Sequence, residues 1–422
     1  MTSMNSQACF IGADDLRIGL FVHIDVGWMF HPFPRSSFKI QSHAQIATIR
    51  SLGLKQIRYS PDKSDPLSVA EEAQAAVEAA PAVTIDPREV RRELRRKQDA
   101  DLKACESRYQ DTAKGYRELT GLLRSEPVRS LAQAQNLVEG VITQLKGCEE
   151  ISIRLLSEQI GDRASQHSVN VLVLSLMLGK ACGLAASDLQ ALGCGALLHD
   201  IGKQELPDRL KWFDEQFSSV EAKAHQEHVS HGVILGKSMN LPTAVLLCIA
   251  QHHEAINGTG YPMRLSGAQI SPLAGILALI NHYDCLCNPG NPAKAHTPHE
   301  ALSTIFTRGK SLYDAKTLGV FIRLMGVYPP GSVVQLSDER YAIVASVNSA
   351  RPLRPTLLIH DPGVPKEEAL LVDLEQHPDL GIKRSVKPMQ LPPQILNYLS
   401  PRQRVCYFFE QSVNFNGHET PQ

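Results

Sequence analysis

Apolar residues recur at helical spacing through most of residues 128–326, and glycine and proline are concentrated there between Asn257 and Pro272. Because apolar positions three or four residues apart share one face of a helix, this pattern predicts a helical domain. After Tyr328 the pattern changes to short β-like runs separated by polar turns, which predicts a C-terminal β appendage over residues 328–410. The predicted fold class is therefore mainly α, with a short β segment after the helices.

Residues 10–60 have a different, mixed pattern that predicts a small α/β domain. A β-like run spans Leu20 to Asp25, and a proline-rich loop follows from His31 to Pro34. Ser42 is the predicted N-cap of a short helix that Gly53 would close, and Gln56 to Tyr59 is predicted as a strand.

The segment between these two regions has two parts. Residues 61–86 are rich in Ala, Glu and Pro and predict a linker. Residues 87–125 are highly charged but carry one narrow apolar seam, which predicts a long helix. The seam comprises Val90, Leu94, Leu102, Cys105, Tyr109, Ala113, Tyr116, Leu119 and Leu123. It fits either a coiled coil in a homodimer or packing onto the chain's own helical domain, because Lys97 and Gln98 interrupt it.

Composition narrows the classes of partner. The 422 residues include 43 basic and 44 acidic side chains, and the formal charge of -1 provides no long-range field for a nucleic acid polymer or an anionic lipid surface. Nine cysteines without a Cys-x-x-Cys pair favour reduced thiols and a cytoplasmic location. No basic leader precedes an apolar block, and Lys180 interrupts the most apolar stretch, so neither an export signal nor a membrane span is predicted.

Histidines are concentrated in one stretch together with an aspartate. His199-Asp200 is followed by Gly202-Lys203, then by His228, and then by a run from His252-His253 to Gly260-Tyr261-Pro262. Neutral imidazole binds borderline transition metals, and a carboxylate can bridge two ions. This composition predicts a dinuclear hydrolytic centre.

The order and spacing of these residues, and the final Gly-Tyr-Pro, resemble the HD-GYP branch of the HD superfamily, the cyclic di-GMP phosphodiesterases. The resemblance implies an HD-type helical bundle over residues 128–326. It also implies a bacterial second-messenger enzyme that opens cyclic di-GMP to linear pGpG. Residues 14–59 are similar to the small domain of unknown function that often precedes HD-GYP domains.

The resemblance assigns metal ligands residue by residue. One ion would take His167, His199 and a bridging Asp200, which is also a candidate catalytic residue. The second ion would take Asp200 with His228, His252 and His253. The expected cofactors are two divalent ions, with Fe or Mn favoured and Zn or others open.

Further residues are assigned to the substrate and to support of the ligands. Lys203 would bind a phosphoryl oxygen or assist the leaving group, and Lys294 would contact phosphate. Gly260, Tyr261 and Pro262 would form a rigid rim beside the metals. Glu254 would orient the ring of His253 without touching the metal, and Asp284 is expected to support a metal ligand in the same way. His225 and His231 match no position in the family pattern and are expected at the surface.

Three departures from the family pattern indicate a divergent branch. Asn281 stands where most members have an aspartate, which makes it a weak ligand. Arg163 stands where members with three metals have a glutamate, so two ions are expected. Gly290, Pro292 and Ala293 replace an arginine, an aromatic residue and another arginine.

These departures leave the function open among three alternatives. The first is a phosphodiesterase with reduced activity. The second is a cyclic di-GMP receptor that acts through contacts with a signalling protein. The third is an HD phosphohydrolase acting on another nucleotide.

Overall fold

The computed structural model describes residues 9–25, 33, 36–52, 54, 56–65, 87–147, 151–156 and 161–411. They fall into two compact units, Met1–Asp86 and Pro87–Gln422. Gly53, residues 66–86 of the expected linker and the expected loop at 31–34, apart from Phe33, lie outside the described residues.

The N-terminal unit is a small antiparallel sheet with one helix. Its elements are β1 (Cys9–Gly12), β2 (Phe21–His23), β3 (Ser37–Lys39), α1 (His43–Ser51) and β4 (Gln56–Tyr59). The strand order is β1-β4-β2-β3. The Ser42 hydroxyl accepts from the Gln45 amide and caps α1, as predicted. Val22, Ile49 and Ile57 are fully buried in its core. The mixed α/β character expected for this region is confirmed.

The second unit is mainly helical, which confirms the predicted class. Its helices are α2 (Pro87–Gly121), α3 (Pro127–Lys146), α4 (Arg163–Ala181), α5 (Ala186–Leu198), α6 (Ser219–Gln226), α7 (His228–Ser238), α8 (Thr243–Gln251), α9 (Pro272–Cys287), α10 (Pro298–Arg308) and α11 (Ala315–Met325). Helix α4 is buried continuously from Ser165 to Gly179, so it forms the centre of the bundle. Of the helices described, none is both long and apolar enough to cross a membrane.

The apolar seam of α2 packs against the core of its own unit. Cys105, Tyr109, Tyr116, Leu119 and Leu123 are buried in the same cluster as the bundle helices. At the N-terminal end of the seam, the side chain of Val90 lies outside the description. From Cys105 onward, the seam residues that a coiled-coil partner would have contacted are thus buried inside their own unit.

Gln98 continues this packing instead of interrupting it. Its carboxamide accepts from the amide of Leu371 at 2.9 Å and donates to the carbonyl of Leu371 at 3.2 Å. Leu371 begins a short strand, β9 (Leu371–Asp373). The glutamine therefore pairs with both backbone groups of this residue, which would cost free energy if they were buried without partners.

The strands of the second unit form one antiparallel sheet. Besides β9, it contains β5 (Ile151–Leu155), β6 (Val333–Leu336), β7 (Tyr341–Asn348), β8 (Thr356–Ile359), β10 (Ile382–Ser385) and β11 (Tyr407–Gln411). Helix α12 (Pro393–Leu399) precedes β11. The path β10-β6-β7-β5-β11 is extended sideways by β8, which pairs with β7 and β9. The predicted C-terminal strands are confirmed, but β5 lies inside the region expected to be helical.

Strand β11 ties the sheet to the helical bundle. Tyr407, Phe408 and Phe409 are almost fully buried in the cluster of the bundle helices. Arg154 of β5 and Glu410 of β11 form a largely buried ion pair at 2.9 Å. Strand β11 is therefore built into the helical core.

Candidate metal centre

His199 and Asp200 lie where a helix ends. Helix α5 stops at Leu198, His199 is its C-cap, and Asp200 precedes a short 3-10 helix, Ile201–Glu205. Neighbouring residues of a continuous helix point about 100° apart. The change of helix type lets both side chains face the same buried centre, as the sequence predicts for this doublet.

Three imidazoles present the same nitrogen to Asp200. In His199, His228 and His252, Nδ1 lies 2.6–2.8 Å from the carbonyl oxygen three residues earlier. A carbonyl only accepts, so Nδ1 donates and Nε2 keeps its lone pair. These Nε2 atoms lie 3.4, 3.6 and 3.8 Å from the carboxylate oxygens of Asp200.

His167 reaches the centre from the first turns of α4 and is held by a carboxylate. Its Nδ1 lies 2.6 Å from Oδ2 of Asp284, and its Nε2 lies 3.3 Å from Oδ2 of Asp200 and 3.1 Å from Nε2 of His199. A carboxylate behind an imidazole fixes the ring and its tautomer, which is the arrangement seen behind metal-binding histidines.

The donor atoms form two groups that share Asp200. His167, His199 and Asp200 form one group, and Asp200 forms the other with three histidines, His228, His252 and His253. Asp200 Oδ1 and His253 Nε2 are buried without a hydrogen-bond partner among the described residues. Unpaired buried acceptors are costly. Their presence inside a histidine-rich donor set fits a site for a divalent metal ion.

Burial makes most of these rings ready ligands. It lowers the pKa of His228 to about 4 and that of His252 and His253 well below the ordinary value, so the rings are neutral near pH 7. Burial alone would also lower the pKa of His167, but hydrogen bonds and charges of Asp200 and Asp284 outweigh it and raise this pKa to about 9.

Asp200 carries a stable negative charge. Burial disfavours its ionised form, but the charge of Lys203 and the hydrogen bond from His167 outweigh that effect and hold its pKa well below the usual range. The Lys203 ammonium lies 2.5 Å from Asp200 Oδ2. Lys203 thus contacts the shared carboxylate directly.

Gly202 allows the doublet to approach helix α7. A Cβ at this position would lie 1.9 Å from the carbonyl oxygen of His228 and 2.4 Å from the amide nitrogen of Gly232. Both are backbone atoms that a rotamer change cannot move. The glycine therefore sets the distance between Asp200 and His228.

The Gly-Tyr-Pro run forms a turn against His253. The ring of Tyr261 stacks on His253 with centroids 4.4 Å apart, and a Cβ at Gly260 would lie 2.5 Å from three backbone atoms. The Tyr261-Pro262 peptide bond is cis. Tyr261 is partly buried, and burial raises its pKa. The run thus lies directly beside the second donor group.

Glu254 supports this loop and not His253, contrary to the expectation. Its two carboxylate oxygens accept from the amides of Met263 and Leu265 at 2.7 and 2.9 Å. Among the described residues, no hydrogen bond joins this carboxylate to the ring of His253. Asp284, in contrast, is hydrogen-bonded to Nδ1 of His167, which is the kind of support expected of it.

Two other residues expected at the site, Asn281 and Lys294, have their side-chain contacts with residues outside the two donor groups. Asn281 is buried, and its Oδ1 is 3.6 Å from the thiol of Cys285. Lys294 is half-exposed and forms an ion pair with Glu215.

Three residues near the centre were missed or placed wrongly by the sequence analysis. His225 is buried and its ring lies 5.0 Å from that of His228, so the expectation of a surface position was wrong. Asn170 donates to Asp284 at 2.8 Å. The ring of Trp212 lies 6.1 Å from that of His167.

We expect Asp284→Asn to weaken metal binding by the His167 group by about 10- to 100-fold. The amide would direct a donor at His167 or at the side-chain amides of Asn170 and Asn288, which both donate to Asp284. Competition titration with a metal-binding dye measures the affinity, and the exposed Asp338→Asn serves as the control. Unchanged affinity at both sites would contradict this role.

Comparison with known protein families identifies two regions of the chain. Residues 150–317 match the family model for the HD domain, and residues 9–134 match a domain of unknown function, DUF3391. The HD domain and the N-terminal domain of unknown function expected from the sequence are thus confirmed. The second match extends beyond the small sheet and through α2.

Several named phosphodiesterases are similar to this chain. Cyclic di-GMP phosphodiesterase PA4108 of Pseudomonas aeruginosa is 26% identical over 355 residues, which cover 83% of this chain and 84% of that protein. Cyclic di-GMP phosphodiesterase PdeB of Borreliella burgdorferi is 23% identical, over 52% of this chain and 58% of that protein. The 3'3'-cGAMP-specific phosphodiesterase 1 of Vibrio cholerae is 30% identical over 34% of each chain.

Among solved structures, the HDG"Y"P protein Bd1817 of Bdellovibrio bacteriovorus matches 75% of this chain and 98% of its own, with 17% identity and a TM-score of 0.39.

Proposed function

We propose that this HD-domain chain is a metal-dependent phosphodiesterase that opens cyclic di-GMP to linear pGpG in bacterial second-messenger signalling. The observation that carries the proposal is the pair of donor groups that meet at Asp200. The relatives named as cyclic di-GMP phosphodiesterases, one of them aligned over most of both chains, supply the substrate class.

Two divalent ions are proposed, one for each donor group. His167 and His199 would hold the first ion and His228, His252 and His253 the second, with Asp200 between them. Ions at these positions would supply Lewis acidity and neutralise charge on a phosphodiester. Fe or Mn is favoured because the set combines several imidazoles with one carboxylate, and this set also accepts Zn.

The chain's own residues would position the substrate beside the ions. Lys203 lies next to Asp200 with its side chain largely buried, so its ammonium would meet a phosphoryl oxygen in a site with little water. Tyr261 has one face covered by His253, which leaves the other for a base or sugar of the dinucleotide. Gly260 permits the close turn that holds this ring in place.

Two alternatives share this site. Hydrolysis of 3'3'-cGAMP is favoured by relatives of that named specificity in Vibrio cholerae, 30–35% identical to this chain over short segments. A receptor without turnover is favoured by Asn281, since an amide adds no negative charge to the centre. The first alternative differs from the main proposal in the substrate, and the second differs in the absence of turnover.

We expect the Mn- or Fe-loaded protein to convert cyclic di-GMP to pGpG with little further cleavage to GMP, and His199→Ala to lower the rate by at least about 100-fold. Chromatography of the products and elemental analysis of the same sample measure this, with exposed His377→Ala as the matched control. Turnover of 3'3'-cGAMP alone would favour the first alternative. Full metal occupancy with binding but no ring opening, unaffected by His199→Ala, would favour the receptor.

Location and partners are part of the proposal. The eight cysteines among the described residues form no disulfide bond, which supports a reducing, cytoplasmic setting. Helix α2 would link a signalling protein bound by the N-terminal region to the metal centre. A chain of hydrogen bonds supports this role of α2. The hydroxyl of Tyr109 on α2 donates to Asn170 at 3.1 Å, and Asn170 in turn donates to Asp284.

A further inference from the structure

Arg163 places its guanidinium over the face of an aromatic ring. Its Cζ lies 3.7 Å from the ring centroid of Trp212, and one terminal nitrogen donates to the carbonyl of Gly290 at 3.2 Å. Stacking on an aromatic face leaves the edges of a guanidinium available in its plane. Arg163 is therefore fixed in orientation while part of its hydrogen-bonding edge stays unused.

The positive charge of Arg163 has no acidic partner. Among the described residues, no carboxylate forms an ion pair with it, whereas Lys203 is paired with Asp200 and Lys294 with Glu215. Burial lowers the pKa of Arg163 to about 10, and the nearby charge of Arg404 adds to the shift. A half-buried cation beside a second cation is costly unless an anion joins it.

The guanidinium lies on the metal side of helix α4. Arg163 precedes His167 by four residues, and residues at this spacing lie on the same helix face. Trp212 lies between the guanidinium and the metal centre: its ring is 6.1 Å from the ring of His167 and 4.8 Å from the ammonium of Lys203. An anion bound at Arg163 would therefore be a neighbour of a phosphate bound at the metal centre, and the two would occupy separate positions.

We propose that Arg163, held by Trp212 and Gly290, binds the phosphate of a cyclic dinucleotide that is not cleaved. This inference rests on the proposed function of the same site. A cyclic dinucleotide carries two phosphodiesters in one ring, so the second one must lie near the first when the first is at the metals. A planar guanidinium donates two parallel hydrogen bonds to phosphate oxygens and fixes their orientation. Trp212 is a positioning residue in this arrangement.

The test compares a substrate with two phosphates and a substrate with one. We expect Arg163→Met to raise the KM for cyclic di-GMP at least about tenfold, with a smaller effect on kcat, because the contact is present in substrate and transition state alike. Arg163→Lys keeps the charge but loses the fork, so its KM should fall in between. For bis(4-nitrophenyl) phosphate, which has one phosphodiester, the loss of kcat/KM in Arg163→Met should be at least about tenfold smaller.

Controls separate binding from folding. Arg129→Met removes an exposed, ion-paired arginine of helix α3 and should leave the KM unchanged. Trp212→Leu should raise the KM for cyclic di-GMP in the same direction as Arg163→Met, while metal content by elemental analysis stays at the wild-type value in each variant. An equal loss on both substrates, or an unchanged KM for cyclic di-GMP, overturns the proposal.

Failure of the proposed function gives a different result. In that case the wild-type protein does not open cyclic di-GMP, and calorimetric titration with cyclic di-GMP and with 3'3'-cGAMP decides the subsite. An affinity at least tenfold weaker in Arg163→Met for the dinucleotide that binds supports the subsite. Equal affinities, or no binding of either dinucleotide by the wild-type protein, overturn it.

Discussion

Replacement of Asp200 by asparagine is expected to remove metal from both donor groups and to lower phosphodiester turnover at least about 1000-fold. The carboxylate belongs to both groups, and its Oδ1 is a buried acceptor without a partner among the described residues. An amide of the same size brings no negative charge, so the bridge between two cations is lost. The rings of His199, His228 and His252 remain in place because each Nδ1 is hydrogen-bonded to the carbonyl oxygen three residues earlier.

Metal stoichiometry and turnover of the Asp200→Asn protein are measured together. Asp208→Asn, an exposed aspartate paired with Lys211, is the matched control and should keep both. If the Asp200→Asn protein retained two ions per chain with wild-type turnover, the carboxylate would not be the bridge. Loss of one ion alone would place Asp200 in a single site.

The second large effect is expected from Gly202→Ala. The added methyl group would lie 1.9 Å from the carbonyl oxygen of His228 and 2.4 Å from the amide of Gly232, so the backbone of α7 has to move. Overpacking of a buried contact costs about 1–3 kcal/mol and sometimes more. The movement carries His228 away from Asp200, so the ion shared with His252 and His253 should be lost first.

Thermal unfolding and elemental analysis measure the two consequences of Gly202→Ala. Gly140→Ala is the control, because Gly140 lies on an exposed face of helix α3 with no atom within 4 Å of the added methyl group. That change should raise stability by about 0.5–1 kcal/mol. A Gly202→Ala protein with wild-type stability and full metal content would show that the close contact with α7 is dispensable.

The residues of the two donor groups could be predicted because each residue type and its order carry chemical information. His199 and Asp200 were expected to serve one ion, and the end of α5 brings the two side chains to the same centre. The pairing of His228, His252 and His253 with Asp200 likewise follows the predicted division into two groups. Such residues are recognisable in the sequence because few other roles require several imidazoles and a carboxylate at these spacings.

Apart from Asp284, the residues that surround the donor groups could not be predicted, since their role depends on long-range contacts. Asn170 looks like any polar residue on an apolar helix, and Trp212 lies in a loop without a motif. Glu254 adjoins His253 in sequence, yet its carboxylate turns to the amides of Met263 and Leu265, because those amides converge on it only after the loop has formed.

Secondary structure shows the same limit at β5. The run Ile151–Leu155 is short and apolar, and helical patterns lie on both sides of it, so its periodicity does not distinguish strand from helix. Its strand partners, β7 and β11, lie about 190 and 250 residues later in the chain. The same distance explains why the C-terminal segment looked like an appendage in the sequence.

The contacts of Asn170 with the end of the chain affect the order in which the protein can mature. Its side chain donates to the carbonyl of Val405 and accepts from the amide of Tyr407, and the same amide group holds Asp284 behind His167. During synthesis, the helices that carry the histidines leave the ribosome well before residues 405–407. A nascent chain therefore has its imidazoles early but completes the support behind His167 only after strand β11 has been made. Metal insertion at the His167 group is best suited to a chain in which β11 has already packed onto the bundle.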